Sequence, residues 1–306
     1  MKTKTHAART GGIYGSRATR WIFVGPAMLV VICLLVYPLL STLVYSFTNK
    51  TMIRPDFDVV GFKNYISLLT DEEFFLAFGH TLFWTICSVL GQVIVGFIGA
   101  LCLNRVKNNV AKNMFRIFAI IPWAFPAIAT AMTWKWLLNG IYGFIPTMMQ
   151  DLGLTEGLIQ FLSNSDLVLP TLVGINIWFG APLIMVNVYA ALQTIPRDQY
   201  EAAQIDGANA WQSFRYVTAP HIRTVVGLLV VLRTVWVFNN FDIIYMITGG
   251  GPAGASRTMP IFIYDIGWTG RLVGKASAAS ILLLLFLIIL CVLYFSVINR
   301  WEKEDG

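Results

Sequence analysis

The stretch from Glu201 to Pro220, EAAQIDGANAWQSFRYVTAP, is polar and helix-patterned, and it lies between two long apolar segments. Its acids, Glu201 and Asp206, are suited to charge-assisted hydrogen bonds with cations of another protein. The small pair Ala202 and Ala203 would let another surface approach the helix closely. These residue types indicate docking of a partner protein rather than the making or breaking of bonds.

The same stretch should fold as two short helices. Asp198 is expected to cap the first helix, with Glu201 as its third residue, in an acidic version of the capping box. Gly207 permits a bend between the helices, and Pro220 should stop the second helix before the chain becomes apolar again. The alternative is an amphipathic helix that rests on lipid headgroups. The acids and the scattered cations of this stretch argue against that alternative, because they do not form one basic face.

Catalytic and cofactor motifs are not supported in this chain. No G-x-x-x-x-G-K-[ST] occurs, so the chain has no phosphate cradle of its own for a nucleotide. A G-x-G-x-x-G match at Gly249 follows an apolar segment, contains Pro252 and belongs to no βαβ unit, which indicates a turn-rich loop. The three histidines are scattered, and the four cysteines lie in apolar segments without metal-ligand spacing. We therefore expect no enzyme activity, no metal and no cofactor on this chain.

Nucleic acid is not an expected partner either, because the cations that give the net charge of +6 are confined to loops.

The composition is that of a membrane protein. Hydrophobic residues make up 57% of the chain and charged residues only 12%, whereas charged residues are about a quarter of a soluble domain. Crossing a hydrocarbon core of roughly 30 Å takes about 20 apolar residues, and the backbone must satisfy its own hydrogen bonds there. We therefore predict an all-α membrane protein. Its six transmembrane helices are expected at residues 21–47, 79–103, 115–138, 169–193, 225–247 and 277–298.

The distribution of cations orients the predicted helices. Residues 1–20 and the loop near residues 105–116 carry Lys and Arg but no acid, whereas the loop after the third helix carries acids but no cation. By the positive-inside rule, both termini and the loop at residues 196–222 are cytoplasmic. The last predicted outer loop, with Arg257, Arg271 and Lys275, argues against this orientation. The predicted organisation is a cytoplasmic N-terminal segment (1–20), a six-span domain (21–300) and a cytoplasmic tail (301–306).

The loop resembles the EAA loop of permease subunits in binding-protein-dependent ABC importers. The pattern of that family is EAA, three residues, Gly, nine residues and I-x-L-P. This chain has Glu201-Ala202-Ala203, Gly207 and Val217-Thr218-Ala219-Pro220 at the same spacing, with Val and Ala in place of Ile and Leu. GFKNY at residues 61–65, IPWAFPAI at 121–128 and TGGGP at 248–252 resemble the carbohydrate branch, the maltose-type or MalF-like permeases.

This resemblance implies a type I ABC importer permease fold with a cytoplasmic coupling helix, in the cytoplasmic (inner) membrane of a bacterium. The implied partners are a second homologous permease, two copies of a cytoplasmic ATP-binding subunit, an extracytoplasmic solute-binding protein and the lipid bilayer. ATP and Mg would bind to the ATPase partner, and the six-span permease domain would carry a sugar or sugar-like solute inward. The coupling residues implied by the resemblance are Glu201, Ala202, Ala203, Asp206, Gly207 and Pro220.

Polar residues inside the fourth and fifth predicted helices are candidates for the solute path, because polar side chains are costly within a membrane. Aromatic faces suit the C–H surface of sugars, while amides and a guanidinium suit their hydroxyls. Carried over by position from the maltose-type permeases, the substrate contacts are Trp178, Gly180, Arg233, Trp236 and Asn240.

These residues also have alternative interpretations. Trp178 could fill the bundle, Asn240 could bond between helices, and Arg233 could pair with Asp242, although about two and a half helical turns separate them. If Arg233 faces the path, an anionic sugar derivative or a glycerol-phosphodiester-like solute is an alternative cargo. An ion-coupled secondary carrier is a further alternative. It predicts acids at the membrane centre, and Asp242 is the only acid inside a predicted span.

Overall fold

A computed structural model describes residues 17–305. The predicted N-terminal segment (1–20) is therefore described only from Arg17, and Gly306 of the predicted tail also lies outside the described residues. Within residues 17–305 the regular structure is helical, and the only β pairing is an isolated bridge between Thr48 and Val59. The α-helices are α1 (Arg17–Val31), α2 (Tyr37–Ser46), α3 (Lys63–Leu69), α4 (Glu72–Arg105), α5 (Asn109–Ala124), α6 (Ala127–Leu137), α7 (Phe144–Asp151), α8 (Ser165–Gln193), α9 (Arg197–Ile205), α10 (Ala210–Ser213), α11 (Ala219–Phe238), α12 (Asp242–Thr248), α13 (Met259–Tyr264) and α14 (Val273–Asp305). Three π-helical segments, Ile32–Val36, Phe214–Thr218 and Asp265–Thr269, adjoin them.

The predicted all-α membrane fold is confirmed. Five helical stretches of the described residues are long and apolar enough to cross a membrane, and the bent pair α5 and α6 makes a sixth if it counts as one span. The five stretches are Phe23–Ser46, Glu72–Arg105, Ser165–Gln193, Ala210–Thr248 and Val273–Ile298.

The third predicted span is not a straight helix. α5 and α6 meet at an angle of 93°, so the prediction of one continuous helix over residues 115–138 is wrong. Phe125 and Pro126 at the corner both have extended backbone, with ψ of 144° and 137°. A proline disfavours helical backbone in the residue before it and has no N–H to donate, which explains the break. At 1.5 Å per residue the two halves are about 24 and 16 Å long, so neither crosses roughly 30 Å of hydrocarbon alone.

The centre of the bundle is formed by α4 packed along α8. Their approach is close because α4 has Gly96 at the contact, where an added Cβ would lie 2.7 Å from the Ala181 carbonyl oxygen of α8. α11 joins this pair through fully buried Trp84, whose indole Nε1 donates a hydrogen bond of 2.9 Å to the Val237 carbonyl oxygen. α4, α8 and α11 therefore form one packed unit.

The cations of the last predicted outer loop are largely neutralised. Arg257 lies 2.6 Å from the carboxylate of Glu73, and Lys275 lies 3.0 Å from that of Asp71. Both acids stand at the beginning of α4, so the two ion pairs hold the loop at Arg257 and the first turn of α14 against the same end of the bundle. The two ion pairs give a physical reason for the presence of Arg257 and Lys275, two of the three cations that argued against the predicted orientation.

Candidate coupling loop and solute path

The EAA residues lie on α9, within the loop at residues 196–222, here called the coupling loop. Glu201 and Ala202 are exposed, and Ala203 is half-buried. The Tyr200 hydroxyl lies 2.8 Å from Thr218 Oγ1 of the π segment that precedes α11. The Tyr200 side chain also packs against the buried cluster that contains Leu192 of α8 and Ile222 of α11. α9 is therefore in contact with the cluster that α8 and α11 share.

The N-terminus of α9 differs from the prediction. Pro196 precedes the helix and makes no side-chain cap, while Asp198 lies within the first turn and accepts a hydrogen bond of 3.0 Å from the Gln199 N–H. The predicted capping box of Asp198 and Glu201 is wrong, because the helix begins at Arg197 and leaves Glu201 too far along it. A capping box does form at the next helix, between Asn209 and Gln212, with hydrogen bonds of 2.8 and 2.9 Å.

Gly207 separates α9 from α10, as predicted. Its φ is +78°, a conformation that residues with a Cβ rarely adopt. No atom lies within 4 Å of the position that a Cβ would take, so the requirement for glycine here is conformational rather than spatial. Asp206, the residue before it, is exposed.

The prediction that Pro220 stops the second helix is wrong. α10, the π segment Phe214–Thr218 and α11 follow one another without a break, with Pro220 in the first turn of α11. The π segment directly precedes α11, and both it and the proline are local departures from the regular i to i−4 hydrogen-bond ladder. The second helix of the coupling loop is consequently continuous with α11.

Large apolar side chains of the coupling loop are exposed. Ile205 is 87% exposed, Trp211 67% and Tyr216 72%, and the ring of Trp211 stacks on that of Phe214 at 5.7 Å. Such a patch is typical of a surface that binds a partner or contacts lipid headgroups.

Three of the five candidate solute residues form one cluster. Gly180, Arg233 and Trp236 lie together: an added Cβ on Gly180 would collide with Arg233 Nη2, and the guanidinium carbon lies 5.8 Å from the centre of the Trp236 ring. Trp178 contacts Trp134 of α6 edge to face at 5.4 Å. Trp178 and Trp236 are 44% and 56% exposed, whereas Arg233 is only 5% exposed.

Arg233 bonds to a residue that was not predicted. Its Nε donates a hydrogen bond of 2.8 Å to Gln92 Oε1 of α4, while Asp242 is exposed and makes no ion pair with it. Gln92 is fully buried. The sequence signal was available, since Gln92 is a polar residue inside the apolar run 79–103 and polar residues there are functional candidates.

Asn240 lies at a break in the fifth predicted span. α11 ends at Phe238 and α12 begins at Asp242, so the continuous helix predicted over residues 225–247 is interrupted. The Asn239 amide bonds within its own helix, to the Val235 carbonyl at 2.9 Å, while the buried Oδ1 of Asn240 has no partner among the described residues. Irregular backbone at membrane depth occurs where it is buried in protein or lines a cavity, which keeps Asn240 a candidate.

No group of three or more His, Cys, Asp or Glu side chains that could hold a metal occurs in the part of the chain that the structure describes. The site chemistry of the described residues is therefore that of amides, indoles and one buried guanidinium, together with an exposed acidic and apolar helix pair.

An apolar helical bundle with a polar helix pair between two of its spans is the architecture of a membrane protein with several spans. Residues 92–303 match the family described as the binding-protein-dependent transport system inner membrane component, and the chain belongs to that family. It is 31% identical to the trehalose/maltose transport system permease protein MalF of Thermococcus litoralis, over 93% of this chain and 94% of the relative. It is 28% identical to the diacetylchitobiose uptake system permease protein DasB of Streptomyces coelicolor, over 99% and 95%.

A solved structure shares the fold. A chain of a bacterial ABC transporter involved in the import of the acidic polysaccharide alginate superposes with a TM-score of 0.81, over 92% of this chain and 95% of the other. The sequence identity is 22%, so this likeness establishes the fold alone.

Proposed function

We propose that this chain is a transmembrane permease subunit that carries a sugar or sugar-like solute inward, driven by ATP hydrolysis on a partner. The observation that carries the proposal is α9, an exposed helix with the EAA residues that is anchored to both α8 and α11. The relatives described as trehalose/maltose and diacetylchitobiose permeases support a sugar as the solute.

The proposed assembly contains a second homologous permease, two copies of a cytoplasmic ATP-binding subunit and an extracytoplasmic solute-binding protein, all at the inner membrane. ATP and Mg bind to the ATP-binding subunits, and this chain has no catalytic role. A solved alginate transporter in complex with a periplasmic protein that holds an alginate pentasaccharide supports the binding-protein partner. Both termini are proposed to be cytoplasmic, and the ion pairs of Arg257 and Lys275 remove the main argument against that orientation.

The coupling loop would transmit the motion of the ATPase mechanically. Glu201 would make a charge-assisted contact with a cation of the ATP-binding subunit, and the exposed Ile205 and Trp211 would fill apolar clefts beside it. Because Tyr200 is bonded to Thr218 and α10 continues into α11, closure of the ATPase pair would rotate α8 and α11 as a rigid body. That rotation would open the solute path alternately to the two sides of the membrane.

Trp178, Trp236 and Asn240 are the proposed solute contacts. Two exposed indole faces suit the C–H surface of a pyranose ring. The buried Oδ1 of Asn240, which has no partner among the described residues, suits a sugar hydroxyl. Gly180 and Arg233 would shape the site from behind, because both are buried.

Purification of the tagged chain with the proteins encoded beside it tests the proposal. A second permease and an ATP-binding subunit should co-purify, and the assembly in proteoliposomes should show vanadate-sensitive ATPase activity that its binding protein stimulates. A chain that purifies alone and moves solute in response to an ion gradient would refute the proposal in favour of a secondary carrier.

A further inference from the structure

A buried guanidinium joins three helices near the middle of the bundle. Arg233 of α11 is 5% exposed, and its Nε–H donates to Gln92 Oε1 of α4 at 2.8 Å. The Gln92 amide in turn donates from Nε2 to the Asn176 carbonyl oxygen of α8 at 2.9 Å. Gln92 is fully buried and Asn176 is 1% exposed, so one glutamine side chain connects α11 to α8 at membrane depth.

Gly180 provides the space for this arrangement. An added Cβ at Gly180 would collide with both Arg233 Nη2 and the Gln92 amide, so the guanidinium and the amide lie directly against the α8 backbone. Any side chain at this position would push the guanidinium away. The ends of the glutamine and arginine side chains together occupy the volume that a side chain at residue 180 would take.

The guanidinium has no acid as its partner among the residues whose side chains the structure describes, where the ion pairs at hydrogen-bonding distance involve other cations. A charge in this environment is costly unless hydrogen bonds or an aromatic face stabilise it. Gln92 supplies the hydrogen bond, and the Trp236 ring lies 5.8 Å from the guanidinium carbon. Trp236 is itself 56% exposed, so the indole presents one side outward while the cation stays inside.

We propose that Gln92 is a positioning residue of the solute site. It holds the Arg233 guanidinium inside the bundle, against Gly180 and next to Trp236, so that the solute path presents indole faces and amides instead of a free cation. This inference rests on the proposed function and deepens it, since such a path favours an uncharged saccharide. A carboxylate or phosphate on the solute would meet no exposed guanidinium, which removes the support for an anionic cargo.

The test uses the assembled transporter with Gln92→Leu, Gln92→Glu and the matched control Gln160→Leu. Leucine removes both hydrogen bonds of Gln92, whereas glutamate keeps the acceptor for Arg233. Gln160 is exposed and bonds to the Gly140 carbonyl, so its replacement changes the same chemistry outside the cluster. Reaction with 4-hydroxyphenylglyoxal, followed by peptide mass spectrometry, reports how accessible Arg233 is, with Arg54, which is exposed and outside the coupling loop, as the internal reference.

Gln92→Leu should raise the reactivity of Arg233 about tenfold and the KM for uptake about fivefold, with kcat changed less than KM. Gln160→Leu should leave both quantities near the wild-type values. Gln92→Glu keeps the acceptor for Arg233 but loses the donor to Asn176, so it should keep the reactivity of Arg233 near the wild-type value. Uptake probes are maltose, trehalose and diacetylchitobiose, with the carboxylate maltobionate as the anionic member. Gln92→Leu should also lower the ratio of neutral-probe uptake to maltobionate uptake, because the released guanidinium then faces the path.

Three outcomes overturn the inference: Arg233 of the wild-type protein reacting as fast as Arg54, Gln92→Leu leaving the reactivity of Arg233 and the KM unchanged, or maltobionate being the preferred wild-type probe. If Gln92→Leu fails to assemble, the wild-type comparison of Arg233 with Arg54 and the response of Gln92→Glu still decide it. If the wild-type assembly takes up none of the four probes, the proposed function fails for them, while the reactivity of Arg233 still reports on Gln92.

Discussion

Replacing Gly207 with alanine should reduce the solute moved per ATP hydrolysed while the chain still inserts into the membrane. Gly207 has φ of +78°, and no atom lies within 4 Å of an added Cβ, so the whole penalty comes from the backbone. A left-handed conformation costs a residue with a Cβ roughly 1–2 kcal/mol. That is a factor of roughly 5–30 in the population of the observed bend between α9 and α10.

Gly153→Ala is the matched control. Gly153 also has a positive φ, +70°, and open space around its Cα, but it follows α7 and is distant in sequence from the coupling loop. Its replacement applies a similar backbone penalty without changing the angle of α9. Gly207→Asn should be milder than Gly207→Ala, because asparagine adopts the left-handed region more readily than alanine.

Uptake of labelled solute and release of phosphate, measured together in proteoliposomes, give the number of solute molecules moved per ATP hydrolysed. We expect that ratio to fall severalfold for Gly207→Ala, in keeping with the population change of roughly 5–30, to fall less for Gly207→Asn and to stay at the wild-type value for Gly153→Ala. Equal ratios for Gly207→Ala and Gly153→Ala would refute the reasoning, because they would show that the bend at Gly207 has no special part in coupling.

Four further predictions follow from particular residues. Glu201→Gln should lower uptake and binding-protein-stimulated ATPase activity about tenfold through loss of a charge-assisted contact, without lowering the amount of chain in the membrane; normal transport by this variant would remove Glu201 from the interface. The proposed orientation can be tested with single cysteines at the exposed Ile205 and Ile141 in a background without the native cysteines. A membrane-impermeant maleimide should react with the cysteine at residue 205 only from the cytoplasmic side and with the one at residue 141 only from the outside. The reverse pattern would contradict the proposed orientation. Trp84→Phe removes the hydrogen bond to Val237 and should destabilise the protein by about 1–3 kcal/mol, read as a lower unfolding midpoint in detergent, with Trp136→Phe as an exposed control. Burial raises the pKa of Asp265 above its ordinary value, while Arg257 acts in the opposite direction. The contribution of this carboxyl group to stability therefore falls as the pH rises through the raised pKa. Asp265→Asn should raise the unfolding midpoint near pH 7, and the difference from the wild type should shrink as the pH is lowered towards the ordinary aspartate pKa.

The membrane-spanning segments were predictable because length and apolarity are properties of the local sequence. A run of about 20 apolar residues can satisfy its backbone in hydrocarbon only as a helix, whatever its neighbours are. The break between α5 and α6 at Pro126 and the continuous helix through Pro220 were not predicted, although both prolines are visible in the sequence. Whether a proline breaks a helix depends on its surroundings: Pro126 follows extended Phe125, whereas Pro220 follows a π segment.

Within the coupling loop, the conformation at Gly207 could be predicted from the sequence, whereas the role of Asp198 could not. The bend at Gly207 was predictable because only glycine adopts its φ without strain. The cap at Asp198 was not, because it depended on where α9 begins, and the helix begins at Arg197, directly after Pro196. A shift of one or two residues moves a side chain from the cap into the first turn and changes what it can bond.

The sequence by itself determined the class of this protein, because hydrophobic run length and the spacing from Glu201 to Pro220 need no knowledge of the packing. Only the tertiary structure decided what surrounds Arg233. Gln92, Gly180 and Arg233 lie on three helices far apart in the chain, and the packing of α4, α8 and α11 brings them into one contact. Burial is a property of the packed bundle, so the same arginine that reads as a solute ligand in the sequence is, in the fold, a cation held inside by a glutamine.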